Sequence, residues 1–346
     1  MAERVLTERE LNRALLARQL LLERAKTPLP RALERIGGIQ AQYAPSMYIG
    51  LWSRLAGFER DQLTRALERR SVVQATLMRV TIHLVSKRDY WPLTLAVKKT
   101  RNDGWLKAHA GRIEPRKVTA AAKRLRPHLA KGPMSQKEVD QVLGGDAATR
   151  NGVGVLLDLV RVPPSGTWER RRADIYALAD DWVGPPDANE DDALNLLVRR
   201  YLSGFGPATR NEIADWAGLR PTEIAPALDR LELRTFRTEA GKSLYDLPRA
   251  PLPDPESPAP VRFLPTWDAT LLVHARRTQI LPEQYRPRVF HVKTPQSVST
   301  FLVDGQVAGT WRYEHGRIQL APFHKLDKAT RRELEEEGER LAAFHA

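Results

Sequence analysis

Between Asp191 and Pro248, three helical stretches punctuated by glycine and proline lead into two short β-rich runs around a glycine turn. That order leaves few folds open. Asp191 can cap a helix through about Leu202, with Leu194, Leu197, Val198 and Tyr201 on one stripe. Ser203-Gly204-Phe205-Gly206 stops it. Pro207 then opens a second helix carrying Ile213, Ala214 and Trp216, which Gly218 closes. Pro221 starts a third, carrying Ile224, Leu228 and Leu231. The runs Leu233–Thr238 and Ser243–Leu247 flank Ala240-Gly241, a hairpin signal. Helix, turn, helix and hairpin make a winged helix, a fold used chiefly on nucleic acid.

The same grammar occurs twice more. Arg116 to Leu129 reads as a helix, Ser135 caps another through Val142, Gly144-Gly145 ends it, and Ala147–Val160 supplies a third. Val162 to Trp168 and the following residues read as its wing. At the start, Thr7–Leu22, Pro30–Ile36 and Asp61–Arg69 are helical candidates, and Val72–Leu77 and Thr81–Val85 are β-rich. The expected architecture is α+β and mainly α: three tandem winged helix-turn-helix units, a β-rich C-terminal segment and a terminal helix. The units are read as 1–114, 115–186 and 187–250, with Gly184-Pro185-Pro186 between the second and third. Residues 251–346 then hold the end of a proline-rich linker (Pro248–Pro260), strands at Val261–Leu264, Ala269–His274, Val298–Val303, Val307–Tyr313 and Ile318–Ala321, and a helix at Asp327–Phe344. Asp304-Gly305 reads as a hairpin turn, and Glu335-Glu336-Glu337 as a solvent face.

Composition narrows the chemistry. The 346 residues contain no cysteine, which removes disulfides, thiolate catalysis and Cys-ligated metal. No paired His/carboxylate spacing supports a metal site, and no apolar run approaches a membrane span. The polar start lacks the apolar core of a secretion signal, so a cytoplasmic, nucleoid-associated protein is expected. The net charge of +13 is concentrated: eleven Lys/Arg between Lys98 and Lys131 face only Asp103 and Glu114. Such a belt reads as a polyanion contact, DNA or RNA ahead of lipid, or as a merely basic solvated linker.

Gln40 and Gln42 lie one residue apart in Gly37-Gly38-Ile39-Gln40-Ala41-Gln42-Tyr43. On a helix they would diverge by about 200°, whereas in an extended segment they share a side. The two glycines favour the broken, extended form. A neutral carboxamide orients water without the basicity of a carboxylate, which suits a leaving group that is already cationic. Structural capping or backbone bonding is the plainer reading of the pair.

Ile39-Gln40-Ala41-Gln42, the run Thr76-Leu77-Met78-Arg79-Val80-Thr81-Ile82-His83-Leu84-Val85 and the run Phe301 to Arg312 together carry a resemblance. Over nearly its whole length the chain resembles the winged-helix DNA glycosylases of bacteria, the family of the azinomycin self-resistance glycosylase. The resemblance implies that Gln40 and Gln42 are catalytic, and Gln42 points to the branch linked with bulky and crosslinking lesions rather than the branch with Asp there. It implies a monofunctional DNA N-glycosylase, a hydrolase of alkylated (N7-alkylguanine type) nucleotides in double-stranded DNA, working as a monomer without cofactor or metal.

Thr81 and His83 share one face of an expected strand, joined by Arg79 if the strand extends that far, and are candidates for binding phosphate or sugar; the alternatives are an ordinary wing strand and, for His83, a buried, hydrogen-bonded histidine. Lys98, Lys99 and Arg101 open the basic belt as further DNA-contact candidates. Asp304 and Gly305 are candidates for probing a groove, or a plain surface turn. Trp267, Asp268 and His274 form another group, in which Asp268 either assists the sugar cation or turns the chain. The competing functions are a non-catalytic winged-helix DNA-binding protein such as a transcriptional regulator, and a scaffold that binds damaged DNA uncut.

Overall fold

A computed structural model describes residues 3–272, 278–290 and 296–346 of the chain. Strand β1 (Val5–Leu6) leads into α1 (Glu8–Arg18), whose start is set by a capping box between Thr7 and Glu10. Next come α2 (Leu29–Ile36), β2 (Ile39–Gln40), α3 (Ala44–Trp52), α4 (Arg60–Glu68), the hairpin β3 (Val72–Thr76) and β4 (Ile82–Ser86), and the long α5 (Lys87–Ala108). The middle holds α6 (Pro115–Leu129), β5 (Met134–Ser135), α7 (Gln136–Leu143), α8 (Ala147–Leu156), β6 (Leu159–Arg161), β7 (Ile175–Leu178) and α9 (Ala179–Trp182). Then follow α10 (Glu190–Phe205), α11 (Arg210–Ala217), α12 (Pro221–Arg230) and the hairpin β8 (Arg234–Thr238) and β9 (Ser243–Asp246). The C-terminal part is β10 (Arg262–Leu264), α13 (Ala269–Leu272), α14 (Arg286–Val289), β11 (Thr300–Val303), β12 (Gln306–Glu314), β13 (Arg317–Pro322) and α15 (Lys328–His345).

The helix–hairpin group from α10 to β9 has the expected order with shifted ends. Asn189 rather than Asp191 caps α10, and the helix runs on through Gly204 to Phe205. Pro207 does not open α11; Thr209 does, in a capping box with Glu212. Tyr201 and Phe205 of α10 pack on Trp216 of α11, with ring centroids 5.4 and 6.2 Å away. Aromatic pairs of this kind add about 0.5–1.5 kcal/mol each beyond burial. Their cluster joins Leu15 of α1, Val73 and Val85 of the β3–β4 hairpin and Leu302 of β11 in one core.

Hydrogen bonding crosses the expected unit boundaries. A six-stranded sheet runs β2-β4-β3-β6-β7-β5, joining residues on both sides of 114/115. Strand β1 pairs in parallel with β8, so the N-terminus completes the sheet of the α10–β9 group. The linker is also held down, because Arg13 Nε donates to Ser257 O at 2.8 Å and Arg18 Nη2 to Pro251 O at 2.9 Å. Units 1–114, 115–186, 187–250 and 251–346 are therefore segments of a fused structure rather than separable bodies.

Three further readings are corrected. The run from Ala269 begins as helix α13 rather than a strand, with Asp268 accepting from the Thr270 N–H at 3.0 Å; its end, including His274, lies outside the described residues. Glu337 is not on a solvent face: it is 2% exposed and ion-paired with Arg24 and Arg340. The Asp304-Gly305 turn does join β11 to β12, but its tip is docked on α1. Asp304 pairs with Arg9 and Arg13, and Gly305 O accepts from Asn12 Nδ2 at 2.8 Å. A Cβ at Gly305 would lie 2.5 Å from Leu16 Cδ1, so glycine is what lets the tip lie this close to α1. Those two residues fasten the C-terminal sheet to α1.

Among the described residues, no helix is long and apolar enough to cross a membrane, and no group of three His, Asp or Glu could hold a metal ion.

Candidate active site

The Gln motif is shaped by glycine geometry on one side and sheet pairing on the other. Gly37 closes α2 at φ 79°, and Gly38 follows at φ 80°. A Cβ on Gly38 would sit 3.0 Å from Leu84 O, so only glycine lets the chain turn and lie directly on β4. Ile39 and Gln40 then pair with Leu84 and His83, and the Ala41 N–H donates to Ile82 O at 2.7 Å. Residues 42–43 bend before α3 starts. The segment is thus non-helical through both glutamines, as expected from the glycines.

Gln40 is 5% exposed, and its Oε1 accepts from Arg79 Nη2 at 3.2 Å. Gln42 is half-buried, and its Oε1 is a buried acceptor without a hydrogen-bond partner among the described residues. One carboxamide oxygen is thus held by a cation, while the other can still accept.

Arg79 does not extend a strand with Thr81 and His83. It sits in a tight turn at φ 53°, followed by Val80 at φ 57°. Its Nη1 donates to Trp216 O, and its backbone lies against Gly218, where a Cβ would come within 3.0 Å of Arg79 N. The helix-ending glycine of α11 therefore also makes room for the turn that steers Gln40. Burial lowers the Arg79 guanidinium to about 10, with Tyr201 acting the other way, so it remains a cation at neutral pH. Thr81 Oγ1 donates to Met78 O at 3.0 Å and closes the turn.

His83 is 3% exposed and is the cross-strand partner of Gln40. Burial pushes its imidazole down to about 3; nearby Arg79 adds to this, and the hydrogen bond to Thr81 O at 3.0 Å opposes it. The ring is therefore neutral and donates from Nδ1. Of the readings open for His83, the buried, hydrogen-bonded histidine is the one present, while Arg79 is half-buried and reaches Gln40.

A pH dependence follows from His83. Its pKa is about 6.5 unfolded and lower when folded. Its contribution to stability is complete above about pH 6.5 and is lost as the pH falls towards 3. We expect the parent to lose about 1.4 kcal/mol more per pH unit than His83→Gln between pH 6 and 4. Urea unfolding of both proteins checks this; parallel pH profiles would remove the buried neutral histidine from the account.

Asp268 is 4% exposed, and its carboxylate meets Arg54 through two hydrogen bonds of 2.9 Å. It also accepts from Thr270 N at 3.0 Å and Thr270 Oγ1 at 2.6 Å. Burial works to raise its pKa, but Arg54 and Thr270 together hold it below the usual carboxylate range. The adjoining Trp267 is half-buried with φ 65°. All of the polar contacts of Asp268 are internal, which fits the chain-turning reading of it.

The basic belt divides. Arg101 is buried, donating to Thr76 O at 2.9 Å and Val155 O at 3.2 Å, so it fastens α5 to β3 and α8 and is withdrawn from any DNA surface. Lys98 is ion-paired with Asp158 at 2.6 Å. Lys99, Lys107, Arg112, Arg116, Lys123, Arg124 and Lys131 are exposed, and none of them is ion-paired among the described residues. We expect alanine at Lys99, Lys107 and Lys123 together to weaken binding to undamaged duplex. The slope of log K against log salt should flatten by about 0.9 per lost phosphate contact. A fluorescence-anisotropy salt titration measures it, and an unaltered slope would discard the belt as a phosphate contact.

Sequence reasoning missed Tyr43 and Arg171. Tyr43 is 39% exposed directly after Gln42, and Arg171 Nη1 donates to its hydroxyl at 3.2 Å. This bond ties the long β6–β7 loop to the Gln segment. The run Arg170-Arg171-Arg172 was its only sequence signal.

Comparisons with known proteins show which family the chain and its fold resemble. A family model described as "DNA glycosylase AlkZ-like" matches residues 33–344. An "Interstrand DNA cross-link repair glycosylase" from Streptomyces sahachiroi is 23% identical, with 94% of this chain and 93% of that protein aligned. The solved structure of the S. sahachiroi DNA glycosylase AlkZ superposes with a TM-score of 0.80 at 18% identity, covering 99% of this chain and 97% of the other. The match of the family model over most of the chain identifies this protein as a member of the AlkZ-like DNA glycosylase family.

Proposed function

We propose that this protein hydrolyses the N-glycosidic bond of N7-alkylated guanine and related alkylpurine nucleotides in double-stranded DNA, bulky adducts and interstrand crosslinks included. It acts as a monomer without a cofactor and leaves an abasic site. In this reading the three helix–hairpin groups are winged helices that offer the exposed cations of the belt to phosphates. The observation that carries the proposal is the asymmetry of the two carboxamides: Gln40 Oε1 is held by Arg79, while Gln42 Oε1 is a buried acceptor with no partner.

Alkylation at N7 places positive charge on the purine. As the C1′–N9 bond breaks, its electron pair passes to the ring and the base leaves neutral. The sugar becomes oxocarbenium-like, water adds to C1′, and the water's proton is released to solvent. Gln42 Oε1 accepts one hydrogen of that water and lends partial negative charge beside the sugar. Gln40, its oxygen fixed by Arg79, keeps its amide N–H groups for positioning. Orientation of this kind supplies up to about 7–11 kcal/mol in favourable cases. Neutral His83 adds no positive charge near the oxocarbenium, and no acid is required because the leaving base is already cationic. No lysine nucleophile enters the scheme, so strand cleavage does not accompany excision. A crosslinked base cannot swing out of the helix, and an open cleft acts on it in place.

The test is a duplex carrying one 7-methylguanine, incubated with the protein and treated with alkali. Breaks at that position are expected, with none at ordinary guanines, whose leaving base would be anionic. Binding without breaks would overturn the substrate assignment.

A further inference from the structure

The turn Leu77–Thr81 separates two places. On one side Arg79 reaches back to Gln40. On the other, Thr76 and Val80 line a cavity of about 430 Å³ enclosed by α5, α6, α8, β6 and β7. That volume lies in the usual range for small-ligand pockets, about 300–1,000 Å³. No role in the chemistry above touches it.

Its lining mixes aliphatic side chains with the rings of Trp105, His109 and Tyr176 and with polar groups that include Arg150, Asn151 and Arg161. Trp105 and His109 of the α5 end stack with ring centroids 4.2 Å apart and an 18° tilt. Tyr176 lies 5.5 Å from the Arg161 guanidinium. Arg161 Nη1 donates to Thr76 Oγ1 at 3.0 Å, but its Nε is buried without an acceptor. An unsatisfied buried donor costs about 1–3 kcal/mol, so a ligand bringing an acceptor is favoured there. At the rim, Val80 is 44% exposed. A β-branched residue at φ 57° is strained by about 1–3 kcal/mol, a strain typical of functional positions. The strain holds an apolar side chain outward at the rim, a wedge of the kind that unstacks base steps.

We propose that this cavity is an accessory subsite for one planar aromatic group displaced from the DNA stack beside the lesion, with Val80 as the wedge. The inference rests on the glycosylase reading above. A flat ring stacks on His109 and Trp105, and an edge acceptor meets Arg161 Nε. Two sources present such chemistry: an unstacked nucleobase, or an aryl substituent carried by a bulky adduct.

Gly154 of α8 allows a test that removes nothing. It lines the cavity, and a Cβ there meets no atom within 4 Å. Gly154→Leu places an apolar side chain at the cavity wall and improves helix propensity, and a urea midpoint equal to the parent's verifies that the fold is kept. Single-turnover excision is measured on duplexes with 7-methylguanine and with 7-benzylguanine, alongside affinity for undamaged duplex. If the aryl group is the occupant, Gly154→Leu slows the benzyl substrate at least tenfold and the methyl substrate less than twofold. If a base is the occupant, both slow about tenfold while affinity for undamaged duplex is unchanged. Rates within twofold of the parent on both substrates overturn the proposal, as does a parallel loss of affinity for undamaged duplex. Failure of the parent to excise 7-methylguanine defeats the substrate reading instead. The cavity is then judged by parent-to-variant affinity for a duplex bearing uncharged N6-benzyladenine: a tenfold weakening supports the subsite and equal affinity rejects it. Val80→Gly relieves the strained turn, and the wedge requires that it slow the same substrates without lowering the urea midpoint.

Discussion

Gln42→Ala should slow single-turnover excision of 7-methylguanine by about 100-fold, with affinity for undamaged duplex and the urea midpoint unchanged. Gln42 contributes an acceptor that nothing else in the fold uses. Its loss therefore removes a preorganised contact and no structural hydrogen bond. Removing one such preorganised group from a reaction centre typically costs about 10²–10³ in rate. Gln42→Glu keeps an acceptor at the same reach and should retain most of the rate, which separates acceptor geometry from amide identity. Gln40→Ala should behave differently: it also takes an acceptor from Arg79, so the turn that carries Val80 loosens and stability falls with rate. Single-turnover kinetics isolates the bond-breaking step from product release. An unchanged rate in Gln42→Ala would remove the glutamine pair from the chemistry, whatever activity the protein has.

The second large effect is structural. Asp268→Ala should destabilise the fold by about 3–5 kcal/mol, because it strands the buried Arg54 guanidinium without its counter-charge. Among the described residues, Arg54 then keeps Gly50 O at 3.0 Å and Gln19 Oε1 at 3.3 Å as partners. The double substitution Arg54→Met with Asp268→Leu should recover much of the loss, since replacing a buried pair by apolar groups is often near neutral. Asp268→Asn supplies the functional control. If the carboxylate steadied the sugar cation, Asp268→Asn would lower the excision rate at an unchanged unfolding midpoint. The geometry leads to the reverse expectation: a lower midpoint, with the rate per folded molecule preserved. Urea titration paired with active-site-normalised kinetics distinguishes the two.

Legibility in the sequence followed the range of the interactions. Gly37 and Gly218 were readable as helix ends because a left-handed residue after a helix is a local demand. The β8–β9 hairpin and the start of α15 at Asp327 were readable for the same reason. The helix α3 was passed over, as Pro45 and Gly50 dilute its periodicity while its burial on nearly every side hides any amphipathic stripe. Arg101 and Glu337 look solvent-facing by composition, yet both are buried, with Asp158 and Arg24 brought to them from distant parts of the chain. Charge type does not reveal burial when a counter-charge arrives from far along the sequence.

By itself the sequence determined the order of helices and hairpin from α10 to β9, the non-helical course of the Gln40–Gln42 segment and the concentration of cations between Lys98 and Lys131. Each depends on caps, glycines and charge density, which act over a few residues. Only the tertiary structure decided that Gln40 is held by Arg79 while Gln42 keeps a free acceptor, and that Arg101 faces inward. It also decided that Val80 occupies a left-handed turn. Local preference opposes φ 57° at valine, and the packing of that turn between β4, α11 and Gln40 overrides it, because side chains from separate parts of the chain must be brought together first.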